Sequence, residues 1–144
     1  MQLTLFTDYA LRVLLYVGNA QPRIVTIGEI AHFYDISHEH LRKVVHHLGQ
    51  NRMVTTSRGK DGGLVLARPP QQIKIAQVVQ EMEGDLTIVD GTGRECILVG
   101  HCSWKSALMQ AQRAFLQTLQ QHTLADLLAS TKSRGRFRQA LASA

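Results

Sequence analysis

Residues 26–50 contain two short helical patterns joined by a very short connection. In the stretch TIGEIAHFYDISHEHLRKVVHHLGQ, apolar residues recur at helical spacing on both sides of Asp35 and Ile36. Thr26 and Glu29 form a capping box at the first start, and Ser37 stands where it can cap the second helix. Two helices that each have one apolar face, separated by about three residues, must cross steeply over a shared core. The sequence therefore predicts a helix-turn-helix.

The second of these helices is basic on the side opposite its apolar stripe. The stripe consists of Leu41, Val44, Val45 and Leu48. The opposite side holds Arg42, Lys43, His46 and Gln50, with His38, His40 and His47 nearby. A cationic, hydrogen-bonding face of helix width suits the DNA major groove, although a solvated helix face has the same composition. From this helix the residues predicted to bind DNA are Ser37, His38, His40, Arg42 and Lys43.

A β-hairpin is predicted directly after the helix pair. The stretch MVTTSRGKDGGLVLARPP is typical of a strand over 53–57, a glycine-rich turn, and a second strand over 64–67 that the prolines stop. A hairpin in this position is the wing of a winged helix-turn-helix. We predict that Arg58, Gly59 and Lys60 at its tip contact phosphates or the minor groove, since glycine allows close backbone approach. A basic hairpin tip alone would equally serve solubility.

The second half of the chain is predicted to form a long apolar-striped helix. Residues 103–121 place Trp104, Leu108, Ala111, Phe115 and Leu119 on one side. This is more apolar surface than a small winged domain covers, so we expect a homodimer. A two-fold dimer would present two recognition helices to a palindromic site in double-stranded DNA, about one helical turn apart. Thr123 and Asp126 then predict a short, capped closing helix.

These patterns predict a mainly α fold with a small β-hairpin, divided into four parts. Residues 1–83 form the winged helix-turn-helix domain and 84–102 a cluster or sensing loop; 103–130 form the dimerisation and closing helices, and 131–144 a basic flexible tail. The net charge of +5 is weak support for DNA binding, because four bases and no acid lie in the tail.

Other classes of protein find little support in the sequence. No signal peptide or stretch of roughly 18 apolar residues appears, so we expect a cytoplasmic protein without a membrane partner. No nucleophile elbow or phosphate-binding glycine loop is present, so we expect no enzyme. The 2 cysteines lack the C-x-x-C spacing of zinc or thioredoxin-type sites, and a structural disulfide is improbable in a reducing compartment.

Five segments in order resemble the winged-helix repressor family that includes the nitric-oxide sensor NsrR and the iron-sulfur regulator IscR. The segments are LTLFTDYALRVLLYV, TIGEIAHFYDISHEHLRKVVHHL, GKDGGLVLARPP, ECILVGHC and TLADLL, within about residues 1–128. The resemblance implies a dimeric cytosolic transcription regulator. In many members an iron-sulfur cluster lies on a three-cysteine loop ahead of the long helix.

The resemblance also implies a set of cluster ligands, with one departure. Cys96 and Cys102 match the second and third loop cysteines, whereas the first falls at about Gly91, which cannot coordinate. Asp8 matches an acidic ligand on the first helix, supplied to the partner protomer, and His32 matches a histidine ligand of a related 2Fe-2S subgroup. His101 is a weaker candidate, because adjacent residues rarely aim at one metal. Histidine and carboxylate can replace thiolate on cluster iron.

The resemblance thus implies a repressor whose 2Fe-2S or 4Fe-4S cluster senses nitric oxide, redox state or iron. The alternative is a cluster-free winged-helix regulator with thiol-based sensing or none. An ion pair with Arg12 and the helix dipole would explain Asp8 without a metal. Likewise, His32 would be an ordinary half-buried histidine, and Cys96 and Cys102 inert buried thiols.

Overall fold

The computed structural model describes residues 2–57, 59, 62–84, 86 and 103–129, together with positions 135, 137 and 139. Its elements are α1 (Leu5–Ala20), α2 (Ile27–Tyr34), α3 (His38–Gln50), β1 (Val54–Ser57), β2 (Gly63–Leu66), a 3-10 turn (Pro70–Gln72), α4 (Ile75–Glu83), α5 (Ser103–Gln120) and α6 (Leu124–Ala129). In this part of the chain the strands form one two-stranded antiparallel sheet. The predicted fold class, mainly α with a small hairpin, is confirmed. No helix of the described segments is long and apolar enough to cross a membrane.

Helix α1 is the centre of the core, where it packs against α3, α4 and α6. Its core-facing side includes Ala10, Val13, Leu14, Tyr16 and Val17, which are all buried. Helix α3 buries the apolar stripe that the sequence predicted, Leu41, Val44, Val45 and Leu48. Because α2 and α3 pack on each other across a short turn, the helix-turn-helix is present.

Two of the three predicted helix caps form the expected side-chain hydrogen bonds. The Thr26 hydroxyl accepts a hydrogen bond from the Glu29 amide at 3.2 Å. At α6, the Asp126 carboxylate accepts from the Thr123 amide at 2.7 Å, and the Thr123 hydroxyl accepts from the Asp126 amide at 3.3 Å. At α3, Ser37 occupies the predicted N-cap position, but its side chain makes no cap hydrogen bond.

The wing is held to the core by a close approach at Gly63. Strand β1 pairs with β2 from Val54 opposite Leu66 to Ser57 opposite Gly63. Leu64 also exchanges backbone hydrogen bonds with Val25, at 2.7 Å and 3.2 Å. A Cβ atom on Gly63 would overlap the Val25 carbonyl oxygen, so only glycine fits here.

Helix α5 buries none of its described side chains completely. One side rests on the rest of the chain, where Leu108, Gln112, Phe115, Leu116 and Leu119 are half-buried. A neighbouring side is exposed and carries Trp104, Ala107, Ala111 and Ala114. Trp104 is 63% exposed, which is unusual for the largest apolar side chain.

A C-terminal phenylalanine joins the core through an aromatic cluster. Phe137 is only 7% exposed. Its ring stacks on Phe33 at a centroid distance of 5.2 Å and meets the edges of Tyr16 and Tyr34 at 6.1 Å and 6.5 Å. The prediction of a flexible tail over 131–144 did not foresee this anchor.

Candidate nucleic-acid interface and metal ligands

The turn between α2 and α3 is formed by Asp35, whose backbone adopts the left-handed conformation. Asp35 has φ 53°, and its amide, like that of Ile36, donates to the Ala31 carbonyl oxygen. Aspartate tolerates this conformation better than most residues. Because the turn is so short, α3 is held rigidly against α2 and presents its polar side outward.

The five residues predicted to bind DNA at the start of α3 and along it are all exposed, although the ring of His40 also lies beside Tyr9 of α1, with centroids 6.3 Å apart. The five are Ser37, His38, His40, Arg42 and Lys43. Arg42 forms an ion pair with Glu39 at 3.1 Å, and the two side chains are 63% and 69% exposed. An ion pair this exposed contributes little stability, so Arg42 is free to exchange Glu39 for a phosphate or a base.

His47, which the sequence placed near the basic side of α3, contacts other helices of the core. It is half-buried, and its Nε2 lies 2.9 Å from the Glu81 carbonyl oxygen in α4. Since a carbonyl oxygen only accepts, Nε2 carries the hydrogen in this contact. The ring also meets the edge of Phe6 at 5.7 Å. His47 therefore links α3 to α4 and α1 and does not belong to the side that is predicted to face DNA.

At the wing tip the structure describes Gly59, which is exposed and has φ 111°. Residues with a side chain rarely adopt this backbone conformation, so glycine is needed for the turn. Arg58 and Lys60 lie outside the described residues, and their contacts with DNA stay a prediction.

A groove of about 620 Å³ separates the end of α3 from the wing. Its polar lining comes from His46, Gln50, Arg52, Thr55 and Thr56. Arg52 was missed at the sequence level. The available signal was an arginine two residues after the end of a helix, at a position where glycine is common.

The proposed metal ligands are only partly within the described residues. Asp8 lies in the first turn of α1, 44% exposed, and its Oδ2 accepts a hydrogen bond from Arg12 Nε at 2.7 Å. His32 lies exposed in the last turn of α2. Cys96, Cys102, Gly91 and His101 fall outside the described residues. The described residues contain no group of three or more His, Cys, Asp or Glu side chains able to hold a metal, so the ligand set stays a prediction.

Comparison with known proteins identifies the family. Residues 3–130 match the Rrf2 family, which is described as "Iron-dependent Transcriptional regulator". The chain belongs to the Rrf2 family. It is 42% identical over 133 residues to the HTH-type transcriptional regulator NsrR of Shouchella clausii, covering 89% of each chain. It is 45% identical over 132 residues to NsrR of Geobacillus kaustophilus, covering 89% of this chain and 90% of that one.

Among the solved structures with this fold are the regulators CymR and IscR. CymR of B. subtilis, the global cysteine regulator, has a TM-score of 0.75 at 21% identity, covering 90% of this chain and 97% of that one. An oxidized form of Staphylococcus aureus CymR gives 0.75 at 20% identity, covering 91% and 98%. T. potens IscR gives 0.67 at 23% identity, covering 89% and 86%. The family match and the NsrR relatives show that the chain is a DNA-binding transcription regulator and not an enzyme, as its motifs predicted.

In this Rrf2 protein the end of α4 is tied to the start of α1. The Glu83 carboxylate accepts hydrogen bonds from the Thr4 amide at 2.7 Å, the Thr4 hydroxyl at 3.0 Å and the Thr7 hydroxyl. Desolvation raises the pKa of Glu83, but the hydrogen bonds from Thr7 and Thr4 outweigh it and hold the pKa below its ordinary value. Glu83 thus links α4 to the turn of α1 that carries Asp8.

Proposed function

We propose that this Rrf2 protein is a dimeric repressor whose affinity for a palindromic operator is controlled by an iron-sulfur cluster that senses nitric oxide, redox state or iron. The observation that carries the proposal is identity of 42% and 45% to two NsrR regulators over 89% of the chain. The exposed basic side of α3 supplies the DNA-facing part.

The residues present suit a cluster with mixed ligands. Two thiolates, Cys96 and Cys102, leave other ligand positions to be filled, and soft sulfur favours iron-sulfur chemistry. Asp8 and His32 supply an oxygen and a nitrogen donor from α1 and α2, and both side chains reach the surface. Bound to these residues, a cluster would supply a redox-active iron centre that reacts with small oxidants. Asp8 must first exchange its hydrogen bond with Arg12 for the metal.

The contacts around α4 support a route from the cysteine segment to the DNA-binding side. The chain enters that segment from the end of α4, where Glu83 binds α1 and the Glu81 carbonyl accepts a hydrogen bond from α3. A displacement of this end would loosen both contacts. The coupling need be only about 1 to 3 kcal/mol to change DNA affinity substantially.

The exposed side of α5 supports the dimer. Ala107, Ala111 and Ala114 lie at spacings of four and three residues, with Trp104 one turn earlier. Small residues on one side let two helices approach closely, so we infer that a second copy of this chain covers them. A two-fold arrangement then presents two α3 helices to two half-sites.

The test is to purify the protein without oxygen and to measure its absorbance between roughly 300 and 500 nm, where iron-sulfur clusters absorb through sulfur-to-iron charge transfer, together with its iron and sulfide content. Holo and apo forms are then titrated with a duplex selected from a random library on the holo protein. We expect iron, sulfide and tighter binding by the holo form.

His32→Ala should lower the iron content, whereas His122→Ala, at an exposed histidine before α6, should not. Equal affinity of the two forms would overturn cluster control.

A thiol-based regulator is the second candidate. It is favoured by the absence of the first loop cysteine, which is Gly91 here, and by the fold likeness to the oxidized form of S. aureus CymR. In that case iron-free protein should change its DNA affinity on treatment with hydrogen peroxide, and Cys96→Ser or Cys102→Ser should abolish the change. A response that needs iron would exclude this candidate.

A further inference from the structure

We propose that Arg52 and the groove beside it form a binding site for the phosphate backbone of DNA. The site lies between the end of α3 and the wing, and three of its described lining residues, Arg52, Thr55 and Thr56, were not among the residues that the sequence predicted to face DNA. This inference rests on the proposed DNA-binding function and names a further contact in it.

The backbone at Arg52 is the first observation. The Arg52 amide donates to the Gly49 carbonyl at 3.0 Å, and the Met53 amide donates to the Leu48 carbonyl at 2.9 Å. These two bonds make a Schellman motif, in which the residue at the Arg52 position must be left-handed and is usually glycine. Arg52 has φ 53°, although arginine lacks the short side chain that helps aspartate or asparagine there. A side chain kept at a strained position suggests a function for that side chain.

The groove lining is the second observation. Arg52, His46, Gln50, Thr55 and Thr56 are all exposed. They offer a guanidinium, an imidazole, an amide and two hydroxyls, and no carboxylate is among the described lining residues. Guanidinium, amide and hydroxyl donors are the usual partners of phosphate oxygens in protein–DNA complexes.

The position of the groove relative to α3 is the third observation. On a helical wheel, His46 and Gln50 lie on the side of α3 that also carries Lys43, directly opposite the buried stripe. When that side enters a major groove, a phosphate backbone passes along its edge. The wing strand with Thr55 and Thr56 forms the other wall, so one DNA strand can lie between the two elements.

Arg52→Gly is the decisive variant, because it removes the cation and relieves the backbone strain at once. We expect its Tm to equal or exceed that of the wild type, while the affinity for a duplex selected on the wild type falls about 5- to 10-fold near 0.1 M salt. The plot of log affinity against log salt concentration should flatten by about 0.9 per protomer. Arg52→Asn, which also tolerates the left-handed conformation, should behave alike, and Arg52→Lys should keep the salt slope.

Lys105→Ala is the matched control, since it removes one exposed positive charge from α5. It should leave both the affinity and the slope unchanged. If Arg52→Gly binds with wild-type affinity and slope, the phosphate site is refuted while DNA binding stands. If Lys105→Ala flattens the slope equally, the effect is net charge alone and the site is also refuted. Failure of the wild type to select any duplex would instead refute the proposed function.

Discussion

Helices α3 and α5 are both amphipathic, yet they use their apolar sides differently. Helix α3 buries its entire stripe inside its own chain, with Leu41, Val44 and Leu48 fully inaccessible. Helix α5 has no fully buried side chain in its described part, and Trp104 and Met109 are 63% and 50% exposed.

The difference separates what each helix can do. The apolar side of α3 is covered by the core of its own chain, which also fixes the position of the helix. The polar side is therefore available to a ligand. The exposed side of α5 lacks cover from the described part of the chain, and apolar surface of this kind marks an interaction with another protein. One helix therefore suits DNA, and the other suits a second protomer.

Leu48→Ala tests whether α3 is a core element. Leu48 is fully buried, so the truncation should lower the free energy of unfolding by about 3 kcal/mol. Urea denaturation at one fixed protein concentration measures this loss. Gln50→Ala, at an exposed position of the same helix, should change it by less than about 0.5 kcal/mol. Similar losses for both variants would contradict the division of α3 into a buried and a free side.

Ala111→Glu tests the free side of α5. A carboxylate at this exposed position should leave the protomer folded but weaken a dimer packed there by about 100-fold, or about 2.7 kcal/mol. Sedimentation equilibrium measures the dimer dissociation constant. The control is Gln117→Glu, which adds the same charge at an exposed position away from the alanines. An unchanged dissociation constant for Ala111→Glu would place the dimer contact elsewhere.

Glu83→Gln tests the contacts behind both helices and should have the smallest effect, about 1 kcal/mol of stability at neutral pH. The pKa of Glu83 is lower in the folded chain than its ordinary value of 4.5. The carboxylate therefore stabilises the fold above about pH 4.5, and this contribution is lost as the pH falls through the lower folded value. We expect the difference in Tm between wild type and variant to shrink between about pH 5 and pH 3. A constant difference would mean that the Glu83 charge is irrelevant.

Much of the fold could be predicted because its signals are local. Capping boxes at Thr26 and Thr123 lie within three residues of their partners, and helical stripes repeat within one or two turns. The glycine-rich wing turn is equally local, and the structure confirms Gly59 in a conformation that favours glycine. The exposed predicted residues of α3 follow from the same periodicity.

The features that were missed depend on contacts between distant parts of the chain. Glu83 reaches Thr4 and Thr7, which lie 79 and 76 residues away in the sequence. Phe137 finds its place among rings of α1 and α2, although its neighbours in the sequence are basic and predict a flexible tail. Neither segment contains a periodic pattern that predicts a contact with α1 or α2.

By itself the sequence determined the order and kind of the elements, the basic side of α3 and the excess of apolar surface on α5. These follow from spacing along the chain, because a helix places residues three and four apart on one side whatever surrounds it. Only the tertiary structure decided that His47 contacts α4, that Glu83 holds α1, and that Phe137 packs against the rings of Tyr16 and Phe33. These contacts join elements that are far apart in the sequence. Their relative positions are determined by the packing of the whole core.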